Sequence, residues 1–218
     1  MYAKYLKKEI TLVMHPVVPL FMLLAAMVLI PNYPYTVIFF YTTLSIFFTC
    51  MLGRENGDVA YSLGLPITKA DVVRGRMLFV ILIEVIQVIL VEIFSLVRHA
   101  LNPAPNMAGM EGNLALLGFG FALFGLFNRV FFSRYYRDIN TVGKSFIAAT
   151  TVYWVGAILV EGSTFAIPYV RDVLDTPDPQ NLLPKAIVFI IGLVVFLLLN
   201  LLTCKKAINS FEKQDLAV

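Results

Sequence analysis

Glu84, Gln87, Glu92, Ser95 and Arg98 are polar residues set inside an otherwise apolar run. At 100° per residue they fall within an arc of about 140° on one helix. A charged side chain at mid-membrane costs about 2.5–3.5 kcal/mol on insertion scales, so such residues face protein or a water-filled cavity. Two carboxyls on one face could exchange protons or form the polar wall of a transport path or subunit seam. They could equally be held by hydrogen bonds in a packed core, and the residues alone leave all three readings open.

Other reactive patterns are weaker. The run Gly143, Lys144, Ser145 suggests a phosphate loop. Such a loop needs a glycine five residues before the Gly-Lys pair, where backbone amides wrap the phosphates. That position holds Asp138, an anion, and no buried strand precedes it. His15 and His99 have no metal-ligand company, and neither an HExxH nor a GxSxG pattern occurs. No catalytic residue, metal site or nucleotide site is therefore expected in this chain.

The elements around these residues must be membrane helices. The chain of 218 residues is 59% hydrophobic and 14% charged, whereas soluble domains carry about 25% charged residues. Its mean hydropathy is +0.82. The net charge is only +3 and the basic residues are not gathered in one run, which argues against nucleic acid as a partner. A span takes roughly 17–25 apolar residues. Six stretches approach this, at about 17–30, 35–52, 77–97, 114–132, 145–160 and 184–203. The first and fifth are short. No small-residue cleavage site follows the first, so it is expected to be retained.

Orientation follows from the basic residues. If the N-terminus is inside, the outer segments keep only Arg98, Arg171 and Lys185 of the 17 Lys and Arg. The positive-inside rule then puts both chain ends and the 54–76 segment in the cytoplasm of a multi-pass protein of the cell membrane. Cys50 and Cys204 lie near inner span ends, where free thiols are expected.

Residues 2–14 have helical periodicity. Tyr2, Tyr5, Leu6, Ile10, Leu12 and Val13 share one arc, and Lys4, Lys7, Lys8 and Thr11 the other, as in an interfacial helix. Glu9 interrupts the apolar arc. It either snorkels to the surface or pairs with a basic residue of the 54–76 segment. Pro16 and Pro19 then turn the chain into the membrane. The outer loop 99–113 is rich in Pro, Gly and Asn and reads as irregular. The 161–183 segment is too polar to span and suits a short re-entrant or interfacial element.

Ala115, Gly118, Ala122 and Gly125 recur at steps of 3, 4 and 3. They give the fourth span a smooth face for close helix approach, within the chain or at a subunit interface.

The 54–76 segment, "RENGDVAYSLGLPITKADVVRGR", is longer than a plain connector, which takes about 2–8 residues. A short helix closed by Gly64 is expected first, and Pro66 ends it. Thr68 and Asp71 form a capping-box-like start for a new helix near Lys69 that runs into the third span. This compact knuckle suggests a docking surface.

The run Ser62, Leu63, Leu65, Pro66, Ile67, Thr68, Lys69, Val72, Val73, Arg74 resembles the first cytoplasmic loop of type-2 ABC exporter permeases. There a Ser-Leu-Pro run is followed by Ile/Val, Ser/Thr and a basic residue; Gly64 is an extra residue here. The resemblance extends to the N-terminal helix, six spans, inward ends and the long outer segment. It implies an all-α polytopic permease whose 54–76 segment is a coupling helix docked on a separate cytoplasmic ABC ATPase. ATP and Mg would be bound by that ATPase and not by this chain. Two permease copies, or close homologues, would form a dimer. Glu55, Asp58, Ser62, Leu63, Leu65, Pro66, Thr68, Lys69 and Asp71 would form the ATPase-coupling site, with Glu84, Gln87 and Glu92 on the path or seam. The small size resembles permeases that export amphipathic peptides such as phenol-soluble modulins, or other hydrophobic substrates. A stand-alone proton-coupled carrier using Glu84 and Glu92, and a non-transporting immunity or sensor protein, are the alternatives.

Overall fold

The computed structural model describes residues 6–101 and 105–214. Tyr2, Lys4 and Tyr5 of the expected interfacial helix lie outside the described residues. Every regular element among the described residues is helical. The chain begins with α1 (Leu6–Val13) and turns by 99° into α2 (Val17–Leu29). The turn is built from Met14, His15 and Pro16. His15 donates its backbone N–H to Thr49 Oγ1 at 3.3 Å, and its ring Nδ1 accepts the Val17 N–H at 3.1 Å. The second half of α2, Leu23–Leu29, winds more tightly, as a 3₁₀-helix.

Among the described residues, five helices are long and apolar enough to cross a membrane: α3 (Thr36–Glu55), α5 (Lys69–Leu101), α6 (Leu114–Tyr135), α7 (Val142–Ala166) and α8 (Leu182–Glu212). The bent α1–α2 pair makes a sixth if it counts as one span. Between α3 and α5 sits the short α4 (Asp58–Leu63). All five long helices outrun their apolar stretches. At 1.5 Å per residue the 33 residues of α5 extend about 50 Å, against a hydrocarbon core of about 30 Å. α5 is thus longer than a span needs, and α4 packs beside its first turns.

The core is set by α6, which packs most extensively on α8. Glycine makes this possible. A Cβ on Gly118 would lie 2.7 Å from the Phe189 Cα, and one on Gly192 would collide with the Gly118 carbonyl. Gly125 meets Phe196 in the same way, at 3.1 Å. Ala115 is buried and Ala122 half-buried. Within this chain, Gly118 and Gly125 thus face α8.

At the end of the bundle away from α4, residues 99–101 still belong to α5, and the described residues 105–113 before α6 are irregular but firmly tied. Asn113 caps α6 by accepting the N–H of Ala115 and Leu116, at 3.0 and 3.1 Å. Its amide donates to the carbonyls of Leu174 and Thr176. Glu161 accepts from Thr36 and from the Met110 N–H. Glu111 pairs with Arg98 at 3.2 Å and donates its N–H to Asp175. Ser95 donates to the Gly112 carbonyl. Of the 161–183 segment, 161–166 continue α7 and 182–183 begin α8; between them lies one wide turn, Val170–Leu174, whose Val170 and Leu174 are buried.

Candidate functional site

The 54–76 segment forms the knuckle at the basic end of the bundle. Gly57, at φ +64°, makes the left-handed turn that starts α4, a conformation costly for other residues. Gly64 closes the helix, its N–H donating to the Ala60 carbonyl at 3.1 Å. The cap of α5 is reciprocal. The Asp71 N–H donates to Thr68 Oγ1 at 3.1 Å, and the Thr68 N–H and hydroxyl donate to Asp71 Oδ2 at 3.2 and 2.7 Å. This satisfies otherwise orphaned donors at the start of α5.

A buried ion cluster fixes the knuckle to α1 and α5. Arg76, 2% exposed, donates its Nε to Glu9 at 2.5 Å and an NH2 to Asp58. Lys8 bonds Asp58 at 3.0 Å and Ser62 Oγ at 2.5 Å. Burial opposes the Asp58 charge, but Arg76 and Lys8 together hold its carboxyl below the usual value. Glu9 is thus the anchor of α1 and not a surface residue. Lys8, expected among headgroups, turns inward, while Ile10 and Leu12 are exposed.

The expected coupling residues therefore divide. Asp58 and Ser62 are buried and face inward, so they position the knuckle and do not present charge on its surface. Lys69 reaches the other way, donating to the Gln214 carbonyl at 2.6 Å over the Phe211 ring. Leu63 and Asp71 are half-buried. Glu55, Leu65, Pro66 and Thr68 remain exposed at the tip, joined by Tyr61, at 59% the most open of its large hydrophobic side chains. Tyr61 escaped the sequence reading because nothing in its periodicity marks an outward aromatic on a six-residue helix. Arg76 was read only as an inner-side charge; Glu9 was the clue to its role.

The polar arc of α5 also divides. Ser95 and Arg98 belong to the network at the end away from α4. Glu84 and Gln87 are fully buried deep in the bundle. Asn128 of α6 donates to Glu84 Oε2 at 2.9 Å and to Asn200 Oδ1 of α8 at 3.0 Å. Asn200 in turn donates to the Phe196 carbonyl. One oxygen of Glu84, both polar atoms of Gln87 and Asn128 Oδ1 have no hydrogen-bond partner among the described residues. Glu92 is half-buried and stands apart from this cluster. Asn128 and Asn200 were legible only as isolated amides inside apolar runs.

No group of His, Cys, Asp and Glu among the described residues is arranged to hold a metal ion. What remains is a helical membrane body with a pinned, externally presented knuckle and an enclosed polar cluster. A family model described as ABC-2 family transporter protein matches residues 4–212.

The chain belongs to the ABC-2 transporter family.

The match runs through α1, the knuckle and all the long helices, so these are parts of one ABC-2 membrane protein and not a fusion of separate units. No curated protein and no solved structure matches the chain. The family and the apolar helices together make this ABC-2 protein a multi-pass membrane protein.

Proposed function

We propose that this ABC-2 protein is the permease half of an ATP-driven exporter and that its knuckle is the coupling helix. The observation that carries this is the division of the knuckle into a pinned base and an exposed tip. The base is held by Arg76, Asp58, Ser62, Lys8 and Glu9. The tip offers Tyr61, Leu65 and Pro66 with Glu55 beside them. Since α4 is tied to the start of α5, a push on the tip moves as a rigid body into a helix that continues through the membrane.

In this reading a separate cytoplasmic ABC ATPase binds ATP and Mg and performs the hydrolysis. This chain supplies no catalytic group, and both its ends lie in the cytoplasm of a cell-membrane protein. Two permease copies, identical or homologous, enclose the path, with Glu84, Gln87 and Glu92 near it or packing beside it. The substrate class is an amphipathic peptide, a peptide antibiotic or a similar hydrophobic molecule, an extension that rests on the small size noted above.

The test is purification of the tagged chain from its native membranes in mild detergent, with assay of ATPase activity in the copurifying protein. A stoichiometric ATPase that is lost when 62–69 is replaced by a Gly/Ser turn is expected. A folded chain that purifies alone would overturn the reading.

A further inference from the structure

A cavity of about 450 Å³ opens at the basic end of the bundle, where α6 ends, α7 begins and α8 leaves the membrane. Arg134, Arg137, Lys144 and Lys206 line it, with the hydroxyl residues Ser133, Thr141, Ser145 and Ser210. Among the described residues Asp138 is the one acid in the lining, and it accepts the Asn140 N–H. None of the four cations makes an ion pair or a side-chain hydrogen bond among the described residues.

Two further observations point to an anion. Ser145 is 2% exposed and lines the cavity, yet its hydroxyl has no hydrogen-bond partner among the described residues. The N-terminus of the 25-residue α7 also opens here, and no side chain caps it. Unpaired N–H groups and the helix dipole favour negative charge at such an end. The Gly-Lys-Ser run that fails as a nucleotide loop thus contributes Lys144 and Ser145 to a different anion site.

We propose that this cavity binds the phosphate of an anionic phospholipid of the inner leaflet. The lipid, and not a free anion, is indicated by what lies one turn deeper. Ile147 on α7 and Leu202 on α8 are 68% and 52% exposed. They sit three residues after Lys144 and four before Lys206, on the same helix faces. A headgroup phosphate in the cavity would lay its acyl chains over these two side chains. The site needs only this chain in a membrane, so it stands independently of the ATPase.

The experiment follows thermal unfolding of the purified chain in neutral detergent by the fluorescence of Trp154, the single tryptophan. The probes are phosphatidylglycerol, phosphatidylcholine and inorganic phosphate at matched ionic strength. Phosphatidylglycerol should raise the midpoint, and the other two should not. In R137Q/K206Q the half-saturating lipid fraction should rise about tenfold or more, since each basic residue near an anionic surface contributes substantially. R134Q/R137Q/K144Q/K206Q should lose the response. K7Q/K205Q/K213Q, which removes exposed charges outside the cavity, should keep it. Should the quadruple variant fail to fold, the double variant decides. Equal effects of the two lipids, an equal effect of inorganic phosphate, or a full response in the double variant would each overturn the proposal. Loss of the lipid response in the 62–69 Gly/Ser variant, which should release only the copurifying ATPase, would overturn it as well.

Discussion

Glu9 and Arg76 meet at 2.5 Å although they are 67 positions apart in the chain. The contact joins α1 to the start of α5, and Asp58 on the same guanidinium brings in α4. Three elements are thereby fixed through one cation, beside the apolar contacts that Leu6, Val59 and Val72 make with the core. A buried pair contributes little over an apolar replacement, but removing one partner strands a buried charge and costs about 3–5 kcal/mol. Arg76→Gln should therefore lower the thermal midpoint strongly. The double variant E9Q/R76Q should recover part of the loss, because one of the stranded charges is gone. Unfolding midpoints of the two single variants and the double variant, read as a cycle, check this.

The tip of the knuckle should behave oppositely. Tyr61 and Leu65 are exposed, so their removal sacrifices little folding energy. Tyr61→Ala and Leu65→Asp should leave the unfolding midpoint within about 0.5 kcal/mol of its starting stability, the usual range for surface changes. Both should reduce the copurifying ATPase. Full ATPase recovery with both substitutions present would remove the tip from the interface.

How much of this was legible depends on the kind of signal. The long helices were readable because each apolar run is long enough to define itself, and the capping box at Thr68 and Asp71 follows from local chemistry. That box also marks the start of α5 at Lys69, but the far end of α8 was not readable, since Lys205 to Glu212 continue it with a largely polar stretch. The site was half-legible. Asp58 and Glu55 look alike in sequence, but tertiary contacts bury one and leave the other in solvent. The pairing of Gly118 with Gly192 was invisible for a similar reason, since only the first belongs to a regular small-residue stripe.

That pairing gives a steric prediction. Gly192→Ala would push a methyl into the Gly118 carbonyl and force α6 from α8. Overpacking of this kind costs about 1–3 kcal/mol. Gly162→Ala on α7 meets open space and relieves the helix of a glycine, so it should be neutral or stabilising by up to about 1 kcal/mol. Side-by-side unfolding midpoints distinguish the two.

The network around Glu111 should respond to pH through Asp175. Burial raises its carboxyl to about 6, and although the Glu111 N–H stabilises the anion, the nearby Glu111 and Glu161 carboxylates push upward as well. A raised acid favours the fold in its neutral form. Its contribution is complete below the ordinary carboxylate range and is lost as pH rises through about 6. Asp175→Asn keeps an acceptor for the Glu111 N–H but cannot ionise. The variant should therefore gain on the wild type between pH 4.5 and pH 7.5 in unfolding midpoint. An unchanged difference across that interval would remove Asp175 as the source of any pH response.

Glu84 offers a test of packing against transport. Its one described hydrogen bond is accepted from Asn128, and Asn128 also holds Asn200. Glu84→Gln keeps the shape and an acceptor, so a packing role predicts near-normal stability and export. Asn128→Leu removes the donor that both neighbours share. It should cost about 1–3 kcal/mol for each buried acceptor left unpaired, and Asn200 would lose its link to α6. A role on the path predicts a different pattern, in which Glu84→Gln leaves the unfolding midpoint unchanged but slows ATP-driven release of substrate from vesicles. Measuring midpoint and transport on the same preparations of both variants separates the two roles, because only a residue on the path can lose transport while the helices remain packed.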